Sequence, residues 1–230
     1  LKAFESQEGF HAATYEHIEK VRETFPVFYA REYLSQFANF RKTFNSKSPD
    51  IEVENSLSAA EELLHRNKPT INKYCDYLTH TDFVPHNFRI KENMIYMLDC
   101  SPEERTVHFG NKYEGWARFA NYMVIHNSRL NKLLFRYIKE NRGEEELLNL
   151  RLMQIYKIGF ILKFYAESLG NTEGDLRALT LERIDFWHKV LKYLLEDKEI
   201  PDNFVEKYKD KRDRLRSEDE KKRQREFAVA

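Results

Sequence analysis

Residues 80–101, HTDFVPHNFRIKENMIYMLDCS, decide how the rest of the chain is read. The stretch opens as H-x-D-x-x-P-x-N on His80, Asp82, Pro85 and Asn87. It then places Phe88 and Ile90, and after them Ile95 to Leu98, on either side of the polar turn Lys91-Glu92-Asn93. Apolar pieces about a polar turn predict a short β-hairpin. Asp99 ends the second piece, so a loop carrying Asp82 and Asn87 and a hairpin returning Asp99 are expected to gather three oxygen-bearing side chains in one small volume.

Residues 78–98 are the one convincing β candidate, and helical spacing surrounds them. From Phe10 to Phe44 apolar residues recur at intervals of three and four, divided by Pro26 into two predicted helices. Residues 45–55, NSKSPDIEVEN, read as a loop. Ser58-Ala59-Ala60-Glu61 has the form of a capping box opening a helix, and Pro69 suits the first turn of another that ends near Tyr77. After Gly110 the spacing predicts helices over 116–125, 130–138, 147–169 and 176–195, with loops at Arg142-Gly143 and at 170–174. Residues 201–230 hold few apolar anchors and predict an exposed or frayed helix, with ten basic and six acidic residues over 207–226.

Composition agrees with a mainly α fold. The 230 residues contain only 7 glycines and 6 prolines, 33% of them are charged, and 17 Phe and 13 Tyr supply material for a core. Neither G-x-G-x-x-G nor G-x-x-x-x-G-K-[ST] occurs, and so few glycines argue against sandwiches, barrels and doubly wound sheets. Basic and acidic residues balance at 38 each, so nucleic acid and an anionic membrane are not expected partners. A solvated face is the simpler reading of the mixed-charge tail. No apolar run is long enough to span a bilayer and no signal-peptide pattern opens the chain. Two thiols, Cys75 and Cys100, fit a reducing cytoplasm. With His80 and His86 they lack the paired spacing of a zinc site, and they read instead as small buried hydrophobes.

The order of groups in 80–101 has a chemical logic for phosphoryl transfer, where a protein mostly positions reactants and neutralises charge. One carboxylate orients or accepts the proton of an attacking hydroxyl, while an amide oxygen and a second carboxylate hold Mg²⁺ against nucleotide phosphates. On these residues the chain resembles the aminoglycoside phosphotransferase-like kinases, the small-molecule branch of the protein-kinase-like fold, whose catalytic loop usually reads H-G-D-x-x-P-x-N. The resemblance implies that Asp82 is the catalytic base, that His80 is a scaffold residue orienting the loop, and that Asn87 and Asp99 bind Mg²⁺ and through it ATP. Thr81 and His86 stand where the family usually has glycines, and Cys100 where an aromatic residue commonly follows the metal-binding Asp.

The resemblance covers about twenty residues by motif and most of the chain in architecture. Residues 1–79 hold a single glycine and read as helices rather than as the sheet-rich N-terminal lobe of such enzymes. The expectation is therefore a helical C-terminal lobe over 1–200 followed by a charged tail over 201–230, the N-terminal lobe being absent from this stretch and supplied by the same protein. The expected reaction is ATP-dependent phosphorylation of a hydroxyl on a small molecule in the cytoplasm. Glu103, Glu104 and Glu114 are candidate contacts for an amine substrate. The competing expectation is a non-catalytic helical interaction module, or a degenerate kinase relative.

Overall fold

The computed structural model describes residues 2–92, 94–100, 106–218 and 221, and they are mainly helical. In chain order the elements are α1 (Lys2–Tyr15), α2 (Ile18–Thr24), α3 (Ala30–Lys47), α4 (Ile51–Arg66), α5 (Lys68–Lys73), β1 (Tyr77–His80), a 3-10 turn (Pro85–Asn87), β2 (Phe88–Lys91), β3 (Met94–Met97), β4 (Val107–Gly110), α6 (Tyr113–His126), α7 (Ser128–Arg142), α8 (Glu144–Ser168), α9 (Gly174–Leu195) and α10 (Asp202–Leu215). None of the described helices is long and apolar enough to cross a membrane.

Local chemistry explains where the expected boundaries moved. The Asp50 carboxylate accepts the N–H groups of Glu52 at 2.9 Å and Val53 at 3.1 Å, so α4 starts within the segment expected to be a loop. Ser58 and Glu61 consequently lie inside α4 and cap nothing. Pro69 does sit in the first turn of α5, but that helix stops at Lys73 and Tyr77 already belongs to β1. Strand β4 escaped the sequence reading because all four of its residues are buried and no alternation marks it. Gly143 ends α7 with φ 93°, a left-handed conformation that a side chain would strain.

The chain divides into two units. The first comprises Leu1–Phe37 and Glu61–Lys157. In it β1 pairs antiparallel with β4, from Tyr77 opposite Gly110 to His80 opposite Val107, while β2 and β3 form a separate antiparallel hairpin. The outer edge of β4 is covered by residues 26–28: Phe28 donates its N–H to the Phe109 carbonyl at 2.7 Å, and Phe109 donates to the Pro26 carbonyl at 2.8 Å. Helix α1 packs on β1 and β3, with Phe4 stacked on Trp116 at 3.9 Å between centroids. The start of α8 is joined to the unit by a reciprocal amide pair, Asn111 with Asn149, and by Gln154, whose amide donates to Asn121 Oδ1 and whose backbone carbonyl accepts from the Asn121 amide. Gly115 lets α6 approach β1, since a Cβ there would lie 2.6 Å from the His80 carbonyl oxygen.

The second unit comprises Ala38–Ala60 and Ile158–Ala230. Its core holds Phe44, Val53, Leu57, Leu162, Leu179, Phe186, Val190 and Leu191. Of the two readings expected for the tail, an exposed helix is the one that forms over 202–215, and its few apolar residues anchor it. Helix α10 packs on α9 through Phe204 and Tyr208, whose rings stack on Phe186 at 5.2 and 3.9 Å, and it buries Val205. Apolar residues at 204, 205 and 208 form a stripe narrow enough to be hidden among the charges.

Candidate functional site

The site is built where β1 runs out. Phe83, the residue after Asp82, is fully buried, and its ring meets Phe88 at 4.7 Å, Trp116 at 5.4 Å and Phe119 at 6.0 Å. That anchor fixes the loop from beneath and leaves its neighbours Asp82 and Asn87 only partly covered. Pro85 starts the 3-10 turn that carries Asn87 back towards Asp82.

Asp82 and Asn87 are brought together directly. The Asn87 amide donates to the Asp82 carboxylate Oδ2 at 3.0 Å and to its backbone carbonyl at 2.9 Å. The other carboxylate oxygen, Oδ1, accepts from Arg118 Nε at 2.7 Å, from the exposed-facing side of α6. Burial would raise the Asp82 pKa, but the Arg118 charge and hydrogen bond, helped by Lys157 and by Asn87, outweigh it and hold the carboxyl below its ordinary range. Asp82 is therefore a carboxylate at neutral pH with one half-exposed face. Arg118 was not singled out in the sequence. A lone arginine thirty-odd residues downstream carries no motif, and only the packing of α6 against β1 brings it to the loop.

His80 and Asp99 are connected through Leu98. A carbonyl oxygen can only accept, so His80 Nε2 carries the proton and donates it to the Leu98 carbonyl at 2.8 Å. The Leu98 N–H in turn donates to the Asn87 carbonyl at 2.8 Å. His80 is buried and its Nδ1 has no partner among the described residues, which fits a residue that fixes the strand end. Asp99, next in the chain, takes φ 61°, and its backbone carbonyl accepts from the Thr106 hydroxyl at 2.5 Å. The left-handed backbone at a non-glycine residue marks a position held by its surroundings.

Asn87 and Asp99 carry oxygen donors of the kind a magnesium ion takes. The Asn87 amide nitrogen is turned towards Asp82, which directs the amide oxygen elsewhere, and the exposed Asp99 follows a residue pinned to Asn87. Mg²⁺ commonly takes one or two protein oxygens and completes its shell with water and phosphate. Among the described residues no three His, Cys, Asp or Glu side chains form a ready-made metal cage.

Other candidates fall elsewhere. Glu114 is not a substrate contact: it is 2% exposed and accepts from Tyr33 at 2.8 Å, His108 at 2.7 Å and Lys157 at 2.5 Å. Burial opposes its ionisation, but His108 and Lys157 prevail and hold it far below the usual carboxylate range. Residues 103 and 104 lie outside the described residues. Cys75 is buried, donates to the Ile71 carbonyl and is pushed well up by burial, while Cys100, expected to be buried, is exposed.

The chain matches no family model, no curated protein and no solved structure.

Proposed function

We propose that the chain is the helical C-terminal lobe of a protein-kinase-like small-molecule kinase, and that it transfers the γ-phosphoryl group of ATP to a hydroxyl in the cytoplasm. The observation that carries this reading is the Asp82–Asn87 pair at 3.0 Å on a loop whose hairpin returns to it through Leu98. The H-x-D-x-x-P-x-N string alone could be accidental. An ionised carboxylate, an amide oxygen turned away from it and a second carboxylate one residue beyond a shared hydrogen bond are the kinds of group that phosphoryl transfer uses.

In this reading Asp82 accepts the hydrogen bond of the acceptor hydroxyl, aims its oxygen and takes its proton as the phosphoryl group moves. A carboxylate of lowered basicity suits that role, because little proton transfer is needed early in a loose transition state. Arg118 keeps the group charged and fixes one of its oxygens, leaving Oδ2 to Asn87 and the acceptor. His80 holds the Leu98 carbonyl and so the start of Asp99. Asn87 and Asp99 would hold Mg²⁺, which supplies charge neutralisation for the nucleotide phosphates. A sheet-rich lobe of the same protein would form the other wall of the nucleotide site.

The test is phosphoryl transfer from Mg·ATP to a panel of hydroxylated small molecules and to water, measured on the complete polypeptide that contains this chain. Asp82→Asn should lower the rate by roughly 10²–10⁴ with folding preserved. An unchanged rate in that variant overturns the assignment, and transfer by neither protein favours a non-catalytic helical module.

A further inference from the structure

Helix α6 turns a second set of groups towards the loop. Arg118, Tyr122 and His126 are spaced four apart and share one face of the helix, about 6 Å apart along its axis. Arg118 meets Asp82, as described. The rings of His86 and Tyr122 lie 5.5 Å apart between centroids and 82° between planes, and His126 stacks on Tyr122 at 4.0 Å with 19° between planes. His86 and His126 are exposed and Tyr122 is half-buried. Arg89 stands beside them, one guanidinium nitrogen 3.4 Å from the His86 carbonyl.

Two arginines, Arg89 and Arg118, stand on these segments. Within 82–90 and 113–126 the acids are Asp82 and Glu114. Glu114 is buried with its own cations, and Asp82 is already matched by Arg118. That pair uses one of the five N–H donors of the guanidinium, and Arg118 is a third exposed. Arg118 is partly exposed, Tyr122 is half-buried, and His86, His126 and Arg89 are exposed. Such a surface attracts anions and disfavours an amine.

We propose that this ledge binds the acceptor, and that the acceptor is a hydroxyl compound carrying a phosphate or carboxylate about 6 to 12 Å from the hydroxyl presented to Asp82, the rise from Arg118 to Tyr122 and His126. The proposal rests on the transferase reading above and deepens it by naming an anionic acceptor. Tyr122 serves as the flat wall between Asp82 and the anion site, and His86 and His126 flank it. Arg118 bridges the two ends, binding Asp82 with Nε and offering its remaining nitrogens to the acceptor.

The experiment uses glucose 6-phosphate, glucose and glucosamine, which share a ring of hydroxyls and differ in charge. Binding is followed by the imidazole carbon-bound proton resonances of His86 and His126, assigned with His86→Gln and His126→Gln. Glucose 6-phosphate should shift both saturably, and glucosamine neither. His126→Ala should weaken glucose 6-phosphate roughly three- to tenfold, the worth of one partly exposed charged contact, without altering ATP affinity. A response to glucosamine that equals or exceeds that to glucose 6-phosphate overturns the proposal, as does no response to any of the three. Phosphoryl transfer with and without Asp82→Asn is scored separately, so a failed charge preference with transfer intact leaves the transferase reading standing.

Discussion

Phe83→Ala removes the side chain on which the loop of the proposed site rests. Phe83 is fully buried, and its ring lies 4.7 to 6.0 Å from those of Phe88, Trp116 and Phe119. Truncating a buried phenylalanine costs about 3–5 kcal/mol, because transfer free energy is lost and the surrounding rings close the cavity only partly. The upper part of that range applies here, since β2 and α6 hold the three neighbouring rings from different directions. For a chain of this length each kcal/mol moves the midpoint by about 2–4 °C, so the midpoint of thermal unfolding followed by circular dichroism should fall by roughly 8–20 °C. Phe83→Leu, which keeps most of the volume, should lose clearly less. Ile90→Ala is the control, being 75% exposed one strand away, and should stay within about 0.5 kcal/mol of the parent. A Phe83→Ala midpoint indistinguishable from that control would refute the claim that this ring anchors the loop.

Three further outcomes are expected. In a pH–rate profile the Asp82 carboxylate, held below the ordinary range, should keep transfer at its plateau as pH falls through 5. Arg118→Met leaves only Lys157 and Asn87 to oppose burial, so the acid limb should move to higher pH; an unmoved limb contradicts the assigned cause. His11, deeply buried in α1, is pushed down to about 3 by burial and then by the Lys112 charge. Its unfolded form titrates near 6.5 and binds the proton first, so stability is lost as pH falls from about 6.5 through about 3. The loss reaches about 2 kcal/mol by pH 5. Urea unfolding at pH 7 and pH 5 should show that loss in the parent and not in His11→Phe, and equal losses would remove His11 as its source. Asp50→Ala should cost about 1 kcal/mol in urea unfolding, the value of the cap on the Glu52 and Val53 N–H groups, and no loss would mean that α4 starts without it.

Much of the helical architecture could be read from spacing. The helices at 113–126, 128–142, 144–168 and 174–195 follow apolar repeats at three and four, with Gly143 and Gly174 at the breaks taking the positive φ that glycine tolerates. The β2–β3 hairpin was legible because its turn is polar and its flanks are apolar. Strand β4 was not, since a strand buried on both faces loses the period of two. The start of α4 was misplaced because two acceptable capping sequences stand close together, and the Asp50 carboxylate is the one that reaches the N–H groups.

The sequence by itself determined the mainly helical class and the hairpin, and it singled out Asp82, Asn87 and Asp99 as the candidates for the proposed chemistry, because periodicity and residue type are local properties. Tertiary structure decided the environment of those groups. It brought Arg118 to Asp82 across a loop and two sheets, buried Glu114 among its own cations, and lined up Tyr122 and His126 beside His86. Charge and pKa depend on distance and burial, and residues 36 positions apart acquire a 2.7 Å separation only when α6 packs on β1 through Gly115.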